Sequence, residues 1–143
     1  MHEETVDSGK AYAALLLRVA IGIVFTYGGV FKLIDYNTII PAIVGQFEGK
    51  FEPFFLVQIF LYVLPFIEAI GGVLLITGYK HVFSLTVMGA VMILLIFGMQ
   101  LKADPEGVPH NVLFLLAIAF CLSISNNDVF RIGGRWFPSK MKD

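Results

Sequence analysis

Three ionisable side chains stand where an apolar chain has least use for them. Arg18 and Lys32 interrupt the run LLLRVAIGIVFTYGGVFKL, residues 15–33, and Glu68 interrupts LPFIEAIGGVLL, residues 64–75. An unpaired charge in mid-membrane costs at least about 2.5–3.5 kcal/mol on insertion scales, so each is expected to pair, to reach water or to serve a ligand. A cation beside a carboxylate can do useful chemistry in such a setting. It can stabilise a semiquinone or quinol anion while the carboxylate relays a proton.

Arg18, Gly22, Phe25, Gly29 and Lys32 recur at steps of 4, 3, 4 and 3, which places them on one face of a helix. Glycines on that face admit a second backbone, so the stripe is expected to meet the bundle rather than lipid. Glu68 lies ten residues before Gly78, and Arg18 about seven residues after the start of its apolar run. At about 1.5 Å per residue the two depths agree within a turn, which predicts an Arg18–Glu68 ion pair. Lys32, near the other end of its helix with Asp35 close by, is expected to snorkel to the membrane surface. The Arg18–Glu68 pair has two readings: a register-setting contact, or a polar site and candidate catalytic pair that holds a headgroup, a quinone or a partner's charge.

Gln58, Tyr62, Pro65, Ala69 and Gly72 share the face beside Glu68, and Tyr27 adds a hydroxyl. With Arg18, Lys32 and Glu68, the residues Tyr27, Gln58 and Tyr62 make up the candidate binding set, lining a groove of moderate polarity. Helix packing alone also accounts for that face. Pro65 removes one backbone hydrogen bond, which predicts a kink and a freed Leu61 carbonyl.

The elements that must position these groups follow from composition. Of 143 residues, 57% are hydrophobic and 15% charged, against about 45–50% and about 25% in soluble domains. The excess falls in four blocks, about 11–34, 54–78, 82–101 and 111–125, each read as a membrane-crossing helix because lipid leaves backbone polar groups no other partner. The fold class predicted is all-α: a single domain over 1–143, an antiparallel four-helix integral membrane bundle. In the loop after the first helix, Ile39, Ile40, Ile43, Val44, Phe47 and Phe51 recur at helical spacing and predict a short interfacial helix.

Lys10, Lys80, Arg131, Arg135, Lys140 and Lys142 fall at one end of the bundle, Lys32, Lys50 and Lys102 at the other. That bias places both termini in the cytoplasm. Trp136 and Phe137, among basic residues of the tail, are expected to form an interfacial anchor. The long first block, behind an acidic start, is not expected to be a signal peptide.

Other chemistries lack their residues. His2, His81 and His110 lie at separate places along the chain, so no haem or metal site is expected. Met88, Met92 and Met99 share a face that core packing explains, and Cys121 is a lone thiol among apolar neighbours. A net charge of −1 gives no basis for binding nucleic acid.

The helix-one pattern R-x3-G-x2-F-x3-G-x2-K and the helix-two pattern E-x2-G-G, here Glu68, Gly71 and Gly72, resemble the DoxX family over about residues 14–126. The resemblance implies a small four-helix protein of a prokaryotic cytoplasmic membrane, with Arg18, Lys32 and Glu68 at the family's charged positions. It further implies work alongside partner subunits or as a homo-oligomer in lipid. Two functions are open. One is the membrane subunit of a redox complex, a membrane oxidoreductase subunit not catalytic alone, which anchors a partner and holds a quinone near Arg18 and Glu68. The other is a scaffold whose buried charges only specify packing.

Overall fold

The computed structural model describes residues 6–104, 106–132 and 141–142, and the anchor expected at Trp136 and Phe137 lies outside the described residues. Five helices follow one another: α1 Ser8–Ile34, α2 Tyr36–Gly45, α3 Phe54–Thr77, α4 His81–Lys102 and α5 Gly107–Ser123. A short 3-10 turn, Ser125–Asn127, and a two-residue parallel pairing of Val6–Asp7 with Met141–Lys142 complete the described chain. α1 packs along α3 and α5, α4 along α3 and α5, and α2 against α3 and α1.

Helices α1, α3 and α4 are long and apolar enough to cross a membrane. α5 has 17 residues and begins at Gly107, ahead of the expected Asn111. At about 1.5 Å per residue it spans about 25 Å, short of the ~30 Å hydrocarbon layer. The surface identifies the surrounding solvent. Leu16, Ile34, Phe83 and Leu113 are each more than 60% exposed, and large apolar side chains face outward along every long helix. So wide an apolar surface belongs in lipid.

The α1–α3 contact is the closest in the bundle. A β-carbon built on Gly22 would stand 2.8 Å from the Gly72 carbonyl oxygen, and one on Gly29 would stand 2.7 Å from that of Pro65. These glycines therefore let two backbones touch. They also set the register, because Gly22 faces Ile76, Thr26 faces Gly72 and Gly29 faces Ala69. α3 runs unbroken through Pro65 and stops at Gly78, whose φ of +73 favours a residue without a β-carbon.

The core divides along the bundle. Near the terminal end, Ile21, Phe25, Leu75, Leu85, Met88 and Ile118 pack together with Cys121. At the other end, Ile40, Val44 and Phe47 close over Leu61, Leu64 and Val91. The short helix after α1 is thus part of the core through one face.

Candidate functional site

Arg18 and Glu68 do not meet. Arg18 Nε donates to Asp128 Oδ2 at 2.7 Å, Nη1 donates to the carbonyls of Leu75 and Ile76, and Nη2 to that of Phe130. Both charged groups of this ion pair are 1% exposed. Glu68 is instead paired with Lys32, whose Nζ lies 2.5 Å from Oε2. The expected Arg18–Glu68 pair and the expected snorkelling of Lys32 are both corrected.

One geometric fact explains both changes. Side chains on a helix lean toward its N-terminus. In α1 that lean carries Arg18 toward the bundle's terminal end, where α3 stops. The same lean carries Lys32 away from its own end of the bundle and inward to Glu68. The glycine register agrees, since facing numbers add to 98 (22 with 76, 26 with 72, 29 with 69). Glu68 then faces position 30, close to Lys32, and Arg18 faces position 80, just beyond the end of α3. From Glu68 to Leu75 is seven residues, or about 10 Å along the helix, too far for one carboxylate to serve both cations.

The Arg18 end is a closed structural joint. The Leu75 carbonyl accepts from the Gly78 N–H and the Thr77 carbonyl from the Ile132 N–H. The guanidinium supplies a donor to Ile76 and a second one to Leu75, with the right charge for a helix C-terminus. Gly78 leaves the room, because a β-carbon there would stand 2.8 Å from Nη1. Asp128 and Phe130 bring the chain after α5 onto the same group, and Tyr12 stacks on Phe130 at 5.3 Å. Nearby, His81 Nε2 lies 3.3 Å from the Ser125 carbonyl and Arg131 Nη1 3.2 Å from His81 Nδ1. Asp128 is the residue that sequence reasoning missed. It stands alone in the polar stretch NND, where nothing local marks it as buried.

The other end is open. A cavity of about 540 Å³ lies between the helices, lined by residues from all five, with Lys32 and Glu68 in its wall. Phe47, Phe60, Phe97 and Phe114 make most of it apolar, while Gln46, Lys102, His110 and Asn111 add polar groups. That volume and that mix of lining suit a drug-sized lipophilic molecule. Of the six candidate binding residues, Lys32 and Glu68 line the cavity, and Arg18, Tyr27, Gln58 and Tyr62 do not. Tyr27 is 72% exposed and stacks on Phe31, and the Tyr62 carbonyl accepts from the Tyr36 hydroxyl at 2.7 Å. Among the described residues no three His, Cys, Asp or Glu side chains converge to hold a metal ion.

A helical membrane bundle with an ion pair in the wall of an apolar cavity defines the class. The family model described as Methylamine utilisation protein MauE matches residues 10–106, and the chain belongs to that family. The resemblance to the DoxX family is thereby corrected. Its glycine-and-charge pattern is what any closely packed pair of membrane helices with buried cations requires, so it does not separate one such family from another. No curated protein and no solved structure matches the chain.

Proposed function

We propose that this chain is the integral membrane subunit of a redox system that serves methylamine utilisation. In this reading it holds a quinone-class molecule in the cavity at Lys32 and Glu68. The observation that carries the reading is the ion pair itself, set in the wall of a 540 Å³ apolar cavity within a membrane bundle. The family's description supplies the process. Oxidative release of nitrogen from methylamine would yield electrons, and a quinone is a lipid-soluble carrier able to accept them. The Lys32 ammonium would stabilise negative charge on a reduced ring, and Glu68 would hold or release its proton. Partner proteins would carry the catalysis, and the Lys/Arg bias turns both termini to the cytoplasm. α5 makes the fourth crossing in this arrangement, with the bilayer thinned locally to its length.

The scaffold reading has its own observation, the Arg18 joint, whose donors are spent on structure. The two readings apply to different ends of the molecule. Titration of the purified chain in lipid nanodiscs with a benzoquinone bearing one isoprene unit tests the first. Saturable binding that Glu68→Gln weakens is the expected result. Absence of binding to the wild-type chain overturns the quinone reading and leaves the scaffold.

A further inference from the structure

We infer that Asn111 is the hydrogen-bond donor that orients a neutral, carbonyl-bearing headgroup in this cavity, an inference that rests on the quinone reading above. Asn111 is 8% exposed and lines the cavity from the first turns of α5. Its amide nitrogen is buried and has no hydrogen-bond partner. Two other buried side-chain atoms among the described residues share that condition, Thr26 Oγ1 and Asp128 Oδ1, and neither residue lines the cavity.

A buried N–H without an acceptor is costly, and an apolar residue of the same shape would avoid that cost. The carboxamide is therefore explained by something that enters the cavity. Rotation about the Cβ–Cγ bond exchanges its two ends, so the N–H is available to a guest without moving the helix. The chemistry of the guest follows from its surroundings. Lys32 and Glu68 neutralise each other, and the other charged lining residue, Lys102, lies 3.8 Å from Asp104 and donates to Gln46 Oε1 at 2.8 Å. No unpaired charge among the described lining residues is left to attract an ammonium or a phosphate. The aromatic and aliphatic lining suits a ring and a hydrocarbon tail. What remains to be matched is one acceptor, and a ring carbonyl supplies it.

The test compares two probes on the full chain in lipid nanodiscs: the isoprenyl benzoquinone, and an alkylbenzene of the same size without carbonyls. Wild-type protein should prefer the quinone by about tenfold, the worth of one hydrogen bond. One carbonyl stretching band of the bound quinone should move to lower frequency in the infrared. Asn111→Leu should keep alkylbenzene binding, lose the tenfold preference and lose the band shift. Equal preference in wild type and Asn111→Leu would overturn the role of Asn111 while the quinone reading stands. Failure of the wild-type chain to bind the quinone overturns both. Should Asn111→Leu not assemble, the wild-type infrared band decides by itself, because an unshifted carbonyl rules out the bond.

Discussion

Arg18 and Lys32 occupy one face of α1, fourteen residues apart, and their surroundings differ in kind. Arg18 is sealed: a carboxylate and three backbone carbonyls take up its hydrogen bonds, and the chain after α5 covers it. Lys32 is 24% exposed at its side chain and meets a single carboxylate in the wall of a cavity. A cation with four of its five N–H groups engaged, and no cavity beside it, holds helices together. A cation with donors to spare beside an open volume is available to a guest. Burial alone does not separate a structural charge from a functional one; the number of donors left over does.

Mutations should break this comparison unequally. The largest effect is expected from Arg18→Met, which strands Asp128 and the carbonyls of Ile76 and Phe130. Loss of one partner of a buried pair typically costs about 3–5 kcal/mol, read here as thermal or denaturant unfolding in detergent. Adding Asp128→Leu should recover only part of that loss, because the carbonyls of Ile76 and Phe130 lose the Arg18 donors. Full recovery in the double variant would mean that the joint is an ion pair and nothing more.

Next comes Gly22→Ala, which places a methyl group against the Gly72 carbonyl. Overpacking of this kind costs about 1–3 kcal/mol and should push α1 and α3 apart. Gly28→Ala, on the same helix with no atom within 4 Å of its added carbon, is the control. Equal destabilisation by the two would argue against the close α1–α3 contact.

The Lys32→Met and Glu68→Leu double variant should change stability least among the charged pairs, since apolar replacement of a buried ion pair is often neutral. Quinone binding should nevertheless disappear. If binding survives, the pair belongs with Arg18 as structure, and the contrast between the two ends collapses.

The smallest effect concerns the start of α1. Asp7 caps the helix by accepting from the Lys10 backbone N–H at 3.3 Å. That bond, with the Lys10 ammonium beside it, holds the Asp7 carboxyl below its usual range. A carboxyl depressed on folding adds stability above its unfolded pKa and loses it as the pH falls through the folded one. Asp7→Ala should therefore lower the unfolding temperature slightly near neutral pH and not at all in strong acid. A deficit that persists in acid would assign the effect to something other than the charge.

Much of this molecule could be read from its residues in order. The apolar blocks located α1, α3 and α4 because their length and composition leave lipid-embedded helix as the only arrangement. The helical spacing of Ile39, Ile40, Ile43 and Val44 announced a further helix, and Ile40 and Val44 form its buried face, with Phe47 packed beside them from the turn that follows. The glycines on the Arg18–Lys32 stripe marked the α1–α3 contact. They even held the register, had Gly22 been aligned with Gly72 and Ile76 before the charges were paired. Pairing by depth alone failed because a long side chain reaches about a turn along its helix, and always toward the N-terminus.

The sequence by itself determined a membrane-embedded helical chain, two helices close enough to touch, and three charges that had to be answered within it. The tertiary structure decided which charge answers which. Asp128 is 110 residues from Arg18, and Asn111 shares a cavity wall with residues of four other helices. No local pattern encodes such neighbours, because they come together only when the chain folds back on itself. The cavity is likewise a property of the packing, a volume that five helices fail to fill, and no single stretch of residues contains it.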